Sequence, residues 1–130
     1  RREVQVVTNY GQIPKFYGYA AELNQVFMNL LQNAVQSIEG AGTIVLRTFV
    51  NEPDVCVEFA DTGRGIPPEQ LQQLFDPGIN AKGPRVKAAM GLFSSFHIVR
   101  KHRGTIRVAS EPGKGTTFTV QLPTGKPAPG

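Results

Sequence analysis

Two asparagines stand four residues apart in NLLQNA, residues 29–34, where they could bind a metal ion or a phosphate. An amide oxygen is a neutral, hard ligand that suits Mg²⁺, and an amide NH₂ group can donate to a phosphate oxygen. Asn29 and Asn33 fall at the edge of the apolar stripe of a predicted helix, beside a face that could hold a ligand. Alternatively, both are ordinary exposed polar residues, and the pair alone does not distinguish a binding site from an exposed surface.

A second group of chemically capable residues is Asp-Thr-Gly-Arg-Gly, residues 61–65, which directly follows the apolar stretch 55–60. A carboxylate at the end of a strand can accept a hydrogen bond from a planar exocyclic amine such as that of adenine. Gly63 and Gly65 have no Cβ, so their backbone can lie against a flat ring. Alternatively, the segment is a tight strand-to-helix turn in which Asp61 is a cap.

The elements that must position these residues follow from the hydrophobic pattern, which predicts an alternation of strands and helices without repeats. The long helix spans 20–39 and ends before Gly40 and Gly42, a short helix begins at Pro67 and runs through Phe75, and a third helix spans 91–102. A long loop is predicted at 76–90. The predicted strands are 3–9, a weaker one at 15–19, 43–51, 55–61, 105–110 and 116–123.

Length and composition are those of one globular domain. The chain has 130 residues, of which 40% are hydrophobic and 18% are charged. We expect a single domain over residues 1–123 and a disordered tail over 124–130. No apolar run approaches the ~20 residues that a membrane-spanning helix needs, and no signal-peptide pattern is present. The start at Arg1-Arg2 without Met predicts that the chain was cut from a longer protein.

Cys56 is the one cysteine of the chain, so an internal disulfide is excluded. It stands in the apolar stretch VCVEFA, which predicts a buried thiol in a reducing compartment. His97 is predicted to be a packed helix residue. His102 is predicted to be solvated or to lie at a helix C-terminus.

The net charge is +4, and the cations fall in two clusters that could attract phosphate. Alternatively, the clusters are solvated surface. Aromatic residues are not interleaved with them and Trp is absent, which disfavours a stacking surface for nucleic acid. The first cluster is Lys82, Arg85 and Lys87, and the second is Arg100, Lys101, Arg103 and Arg107.

In combination and order, the motifs are more specific than any one alone. NLLQNA is followed by ADTGRGIP (60–67), LFDP (74–77), a lid-like loop and GKGTTF (113–118). This series resembles the catalytic, ATP-binding domain of bacterial sensor histidine kinases, members of the GHKL (HATPase) superfamily, over about residues 3–123. The resemblance implies an α+β fold: a two-layer α/β sandwich of the Bergerat type. Its mixed, mostly antiparallel sheet would have about five strands, with the helices on one face.

The resemblance also implies roles for individual residues, with ATP and Mg²⁺ as the bound species. The metal ligand would be Asn33, with Asn29 beside it on the phosphate side, and Asp61 would bind the adenine amine. The remaining positions would complete the nucleotide site: Gly63 and Gly65 shaping the pocket, Thr116 reaching the adenine through water, Phe75 at the head of the lid, Lys82 at the phosphates, and Gly91-Leu92 opening a helix whose amides meet phosphate.

One position bears on the reaction. Superfamily members that hydrolyse ATP have a glutamate four residues before the metal-binding asparagine, and this chain has Asn29 there, which cannot take a proton at neutral pH. The resemblance therefore implies phosphoryl transfer to a histidine on a separate dimerisation domain, which this chain lacks, with a response regulator downstream. It implies a cytoplasmic protein, or the cytoplasmic part of a membrane-anchored sensor. No nucleic-acid partner and no membrane segment are expected.

The lid departs from the family pattern. Arg85, Lys87 and Ala89 stand where a run of the type Gly-x-Gly-x-Gly-Leu-Gly-Leu would have glycine, and Gly91 and Leu92 remain. A side chain held in the left-handed conformation costs about 1–2 kcal/mol, so three changes could close the phosphate cradle. The alternative function is therefore a degenerate domain that binds nucleotide weakly or not at all and acts as a regulatory module. A basic nucleic-acid-binding module is a third hypothesis.

Overall fold

The computed structural model describes residues 3–10, 20–66 and 84–123. Five strands and two helices occur there in the order β1, α1, β2, β3, α2, β4, β5. The strands are β1 (Glu3–Tyr10), β2 (Ala41–Asn51), β3 (Asp54–Asp61), β4 (Thr105–Glu111) and β5 (Gly115–Leu122), and the helices are α1 (Ala20–Ser37) and α2 (Pro84–Lys101). All five strands were predicted to within two residues. The weaker strand at 15–19, the short helix at Pro67 and the tail lie outside these ranges.

The strands form one mixed sheet in the order β1-β2-β3-β5-β4. β1 runs parallel to β2, and the other three pairings are antiparallel. The sequence-distant pairing of β3 with β5 sets Asp61 directly opposite Thr116. This arrangement confirms the predicted α+β fold with a mixed, mostly antiparallel sheet.

One face of the sheet carries the core. Strand residues alternate between the two faces, so Phe59 of β3 and Phe118 of β5 point towards the helices. They pack with apolar residues of α1 and α2, among them Leu30 and Val99, both fully buried. Both helices therefore lie on the same face. The buried residues of this core are Leu23, Val26, Leu30, Val55, Phe59, Leu92, Val99, Ile106, Phe118, Val120 and Leu122.

The opposite face of the sheet is polar. Arg47 forms an ion pair with Glu58 at 3.2 Å, and its guanidinium lies 4.4 Å from the centre of the Phe49 ring. Cys56 occupies this face and is fully buried among its neighbours, as predicted. Burial raises the pKa of the Cys56 thiol, so the group is uncharged at neutral pH.

Helix α1 ends two residues before the predicted boundary because the loop that follows β3 packs against its last turn. The Ser37 carbonyl accepts from the Arg64 N–H at 3.0 Å, and the Ser37 hydroxyl donates to the Ala34 carbonyl at 2.8 Å. These bonds satisfy the carbonyl groups that a helix C-terminus leaves without partners. The end of α1 is thereby joined to the loop that follows β3.

Helix α2 begins at Pro84, seven residues before the predicted start, so the prediction of a loop at 84–90 is wrong. Proline fits the first helical position because its missing N–H would have no partner there. Ala88, Ala89 and Met90 are good helix formers. Where the family pattern has glycines that disfavour a helix, this chain has residues that favour one.

Candidate functional site

The site is built around a row of polar side chains at one end of the hydrophobic core. The strand register places Asp61 of β3, Thr116 of β5 and Ser110 of β4 side by side on the helix-facing side of the sheet. The next row towards the core is apolar and contains Phe59 and Phe118. The polar row therefore closes the core at the edge where β3 ends.

Asp61 is buried, with only 8% of its surface exposed. Its Oδ1 accepts from the Gly63 N–H at 2.8 Å. Burial raises the pKa of the Asp61 carboxyl above its ordinary value, while hydrogen bonds from the Gly63 and Thr116 amides oppose part of that rise. The group is thus a desolvated hydrogen-bond acceptor held in place from several sides, as a specific polar ligand requires.

Gly63 and Gly65 are required by the packing of the protein itself. A Cβ on residue 63 would stand 2.6 Å from the Ser37 carbonyl oxygen. Gly65 has a φ of +77°, and a Cβ there would stand 2.7 Å from the Glu111 carbonyl carbon. The two glycines let the loop pass between α1 and the β4–β5 hairpin. Their role in shaping a pocket for a ring remains a prediction.

The loop is fastened to the hairpin by further hydrogen bonds. The Gly113 N–H donates to the Arg64 carbonyl at 2.7 Å, and the Ile66 N–H donates to the Ser110 hydroxyl at 2.7 Å. Ser110 also contacts Thr116, with 2.9 Å between the two hydroxyl oxygens. Sequence reasoning missed Ser110, whose bond to the Ile66 amide spans 44 positions of the chain. The signal available was a serine one strand before the GKGTTF motif.

Asn29 lies at the interface between the two helices. Its amide nitrogen donates to the Ser95 hydroxyl on α2 at 3.1 Å, and Ser95 is fully buried. Asn33 lies one turn further along α1, partly exposed, on the same side of the helix. The asparagines thus follow one edge of α1, as predicted, and Asn29 also joins α1 to α2.

The helices run antiparallel, because the start of α1 meets the end of α2. Glu22 in the first turn of α1 pairs with Lys101 in the last turn of α2 at 3.0 Å, while Asn29 meets Ser95 further along both helices. In this antiparallel arrangement, Asn33, one turn after Asn29, lies beside the part of α2 near Gly91, about one turn before Ser95. The early turns of α2 therefore lie beside the C-terminal half of α1.

The prediction that Gly91 and Leu92 open a helix is wrong. Both lie inside α2, and Leu92 is buried in the core with 5% of its surface exposed. An amide inside an α-helix bonds to the carbonyl four residues back, so the Gly91 N–H is not available to a phosphate. Only the first four residues of a helix lack such a bond, and in α2 these are Pro84, which has no N–H, and the three residues that follow it.

The remaining predicted site residues, Phe75 and Lys82, fall in the segment 67–83, which the structure does not describe. Of the second basic cluster, Lys101 pairs with Glu22 and Arg100 lies over the Phe96 ring at 5.6 Å. Arg107 alternates along β4 with core residues and so belongs to the opposite face of the sheet. These cations do not form one phosphate-binding patch, which agrees with the solvated-surface interpretation.

Neither histidine belongs to the site. His102 directly follows α2, as one alternative predicted, but it is buried rather than solvated, and its Nδ1 lies 2.8 Å from the Ile98 carbonyl. His97 is exposed and meets the Phe93 ring edge-on at 4.4 Å. Across residues 3–10, 20–66 and 84–123, no three His, Cys, Asp or Glu side chains are grouped to hold a metal ion. Neither α1 nor α2 is long and apolar enough to cross a membrane.

The sequence matches a family and a set of curated relatives. The profile of the family described as histidine kinase-, DNA gyrase B-, and HSP90-like ATPase matches residues 18–126. The sensor histidine kinase ZraS of Escherichia coli K12 is 37% identical over 123 residues, 94% of this chain and 26% of ZraS. Sporulation kinase A of Bacillus subtilis is 37% identical over 102 residues, 78% of this chain and 16% of that kinase. The chain thus spans about a quarter or less of these relatives.

Solved structures share the fold. The catalytic domain of histidine kinase ThkA superposes with a TM-score of 0.82 at 22% identity, covering 94% of this chain and 81% of that one. The mycobacterial sensor histidine kinase MprB gives a TM-score of 0.78 at 25% identity, covering 96% of this chain and 86% of that one. Full-length ShkA, solved in complex with AMPPNP, gives 0.82 at 24% identity, covering 97% of this chain and 27% of ShkA.

Proposed function

This chain belongs to the histidine kinase-, DNA gyrase B-, and HSP90-like ATPase family, and on that premise we propose that it binds Mg-ATP and supplies the γ-phosphoryl group to a protein histidine. The acceptor histidine lies on a separate dimerisation domain. An imidazole nitrogen forms the new bond to phosphorus while the bond to the bridging oxygen breaks and ADP leaves. A response regulator then receives the phosphoryl group, and the reaction takes place in the cytoplasm.

The observation that carries the proposal is the buried Asp61 carboxylate beside Thr116 at the end of the core. A buried carboxylate that is shielded from water can accept a hydrogen bond from a bound ligand, and the adenine amino group is such a donor. A hydrogen bond to a charged group contributes about 1.5–3 kcal/mol, so its loss weakens binding roughly tenfold to a hundredfold. The similarity of ShkA, whose structure holds AMPPNP, supports the same ligand class.

Asn33 is the residue that would hold Mg²⁺, with its amide oxygen as the protein ligand. Mg²⁺ commonly takes only one or two protein ligands and fills its octahedron with water and phosphate oxygens, so a single partly exposed amide oxygen fits. When bound, the ion neutralises charge on the phosphates during transfer. Asn33 is positioned by α1, whose buried stripe anchors the helix to the sheet.

The side chain at position 29 favours transfer over hydrolysis. An amide cannot accept a proton from water at neutral pH, so Asn29 is not a general base. Its NH₂ group donates to Ser95 instead, which orients the amide at the helix interface. The attacking group must then come from a partner, in agreement with a histidine on another domain.

The test is calorimetric titration with Mg-ATP and Mg-ADP, with Asp61→Asn as the binding-deficient control. We expect dissociation constants in the micromolar to submillimolar range for the unchanged chain and binding weaker by about tenfold to a hundredfold for the variant. Transfer is then followed by radiolabel from ATP carrying ³²P at the γ-phosphate into the histidine-containing dimerisation domain of the parent protein. Equal ATP binding by both chains would contradict the role of Asp61.

A second candidate function is favoured by the early start of α2. Arg85, Lys87 and Ala89 lie in the first turns of a helix, at positions that the family pattern gives to glycine. A helix there leaves fewer free amides for a triphosphate, so the chain would act as a regulatory module with weak or no nucleotide binding. No heat and no competition at millimolar nucleotide would support this alternative, and Arg85→Gly, Lys87→Gly and Ala89→Gly together would then restore binding.

A further inference from the structure

Ser95 is a polar residue in the buried face of α2. Leu92, Ser95 and Val99 recur at helical spacing, and their exposed fractions are 5%, 0% and 0%. A buried hydroxyl costs free energy unless it forms a hydrogen bond, whereas an alanine would occupy much of the same space without that cost. The packing of α2 alone therefore does not explain a hydroxyl at this position.

The partner of this hydroxyl is the amide of Asn29 on α1, whose nitrogen lies 3.1 Å from the Ser95 oxygen. An asparagine amide turns readily about its last side-chain bond, because that torsion has broad energy minima. A hydrogen bond to a group that is buried between the helices restricts this rotation. Ser95 therefore fixes the orientation of the Asn29 amide.

The course of α1 indicates which part of a nucleotide the Asn29 amide would meet. The C-terminal end of α1 lies beside the loop that carries on from Asp61, because the Ser37 carbonyl accepts from the Arg64 N–H. At a rise of about 1.5 Å per residue, Asn33 lies about 6 Å and Asn29 about 12 Å along the helix from Ser37. With adenine at Asp61, Asn29 would then lie beside the phosphate farthest from the base.

We propose that Ser95 is a positioning residue that holds the Asn29 amide for the terminal phosphate of ATP, and that this contact makes the chain prefer ATP to ADP. The inference rests on the proposed nucleotide-binding function. An amide nitrogen carries two protons, so a bond to Ser95 is compatible with donation to a phosphate oxygen. ADP lacks the phosphate that the amide would meet, so its affinity does not depend on the orientation of Asn29.

The size of the effect follows from the cost of ordering a side chain. If the Asn29 amide is already fixed, binding of the terminal phosphate does not have to immobilise it. Avoiding that cost is worth roughly twofold to tenfold in affinity. Without the Ser95 hydroxyl, ATP would lose this advantage and ADP would not.

The experiment measures dissociation constants of Mg-ATP and Mg-ADP for the unchanged chain, Ser95→Ala, Asn29→Ala and the double variant. We expect the preference for ATP over ADP to fall roughly twofold to tenfold in Ser95→Ala and at least as far in Asn29→Ala. In the Asn29→Ala background, Ser95→Ala should change the preference no further, because a positioning residue acts only through the residue that it holds. Ser94→Ala is the matched control and should keep the preference, since Ser94 is the neighbouring serine of α2 but is partly exposed.

A general loosening of the helix interface would weaken the binding of ATP and ADP alike. A preserved ratio of the two dissociation constants in Ser95→Ala would therefore overturn the inference and leave the proposed function intact. An equal fall of the ratio with and without Asn29 would also overturn it, because Ser95 would then act independently of Asn29. Absence of nucleotide binding by the unchanged chain would overturn both the inference and the proposed function.

A second variant covers the case in which Ser95→Ala does not fold. Ser95→Cys fills the buried space with a thiol, which is only a weak hydrogen-bonding group. The preference for ATP should fall in this variant too. A ratio preserved in Ser95→Cys would then overturn the inference.

Discussion

The amide of Asn29 donates to the buried hydroxyl of Ser95 at 3.1 Å, which links α1 to α2 at the level where the candidate site begins. The two residues are 66 positions apart in the chain. Because Ser95 is fully buried, its hydroxyl needs a partner inside the protein. A residue predicted from sequence to face phosphate is therefore also part of the contact that orients α2.

The first prediction tests this contact. Ser95→Ala should lower the free energy of unfolding by about 1–3 kcal/mol, because it removes a hydrogen bond and leaves the Asn29 amide partly buried with one partner fewer. Urea unfolding followed by circular dichroism measures the change. Ser94→Ala, one position away on the same helix, is the control and should change stability by less than about 0.5 kcal/mol. Equal effects of the two substitutions would contradict the prediction.

The second prediction concerns the buried carboxylate and depends on the direction of its pKa. Because burial raises the pKa of Asp61 in the folded protein, the folded state holds this proton more tightly than the unfolded chain does. The stability that this group provides is therefore complete below the ordinary aspartate value of about 3.9 and is lost as pH rises through the raised value.

Asp61→Asn stays neutral at every pH, so the nucleotide-free variant should melt at a higher temperature than the unchanged chain at pH 7. The difference should shrink towards zero below pH of about 3.9. Differential scanning fluorimetry across pH measures both melting temperatures. A lower melting temperature for the variant at pH 7 would show that the lost charge-assisted hydrogen bonds outweigh the relief of desolvation.

The third prediction separates close packing from backbone conformation at two glycines. Gly63→Ala should destabilise the fold by more than about 2 kcal/mol, because the new methyl group would meet the Ser37 backbone. Gly113 has a φ of +81° with open space around it, so Gly113→Ala should cost only about 1–2 kcal/mol for the left-handed conformation. Chemical denaturation compares the two variants, and a larger loss in Gly113→Ala would show that close packing is not the dominant cost.

The fourth prediction is a stabilising substitution after α2. Arg103 has a φ of +62°, and the turn around it bonds the Gly104 N–H to the Val99 carbonyl and the Arg103 N–H to the Arg100 carbonyl, both at 2.9 Å. This is the pattern of a helix end that favours glycine at the left-handed position. Arg103→Gly should therefore raise the free energy of unfolding by about 1 kcal/mol.

Arg103→Ala is the control for this substitution, because it removes the same charge and keeps the strained conformation. It should leave stability within about 0.5 kcal/mol of the unchanged chain. A gain of equal size in both variants would assign the effect to charge rather than to backbone conformation. Thermal and urea unfolding give the comparison.

The fifth prediction tests the metal ligand. Asn33→Ala should weaken the binding of Mg-ATP about tenfold and reduce the difference between titrations with Mg²⁺ and with EDTA, because the variant lacks the amide oxygen that would hold the ion. Gln32→Ala, on the exposed side of the same helix turn, is the control and should bind as the unchanged chain does. An unaltered magnesium dependence in Asn33→Ala would remove Asn33 from the metal site.

The sequence alone was sufficient for the positions of the five strands, for α1 and for Asp61 at the end of β3. These features depend on local patterns: alternation along strands, the 3.6-residue period of a helix, and glycines directly after a carboxylate. The ordered series of motifs, from NLLQNA to GKGTTF, was also enough to identify the family. Such patterns lie within short stretches of the chain, so they can be recognised without knowledge of the fold.

Only the tertiary structure decided which distant groups share hydrogen bonds. Ser110 reaches Ile66 across 44 positions and Asn29 reaches Ser95 across 66, and neither pair has a local periodicity that could have signalled it. The basic and alanine-rich stretch after Pro84 was predicted to belong to a long loop, yet it is helical. Local patterns determine elements, whereas proton donors and acceptors are paired by packing, which brings them together from any distance along the chain.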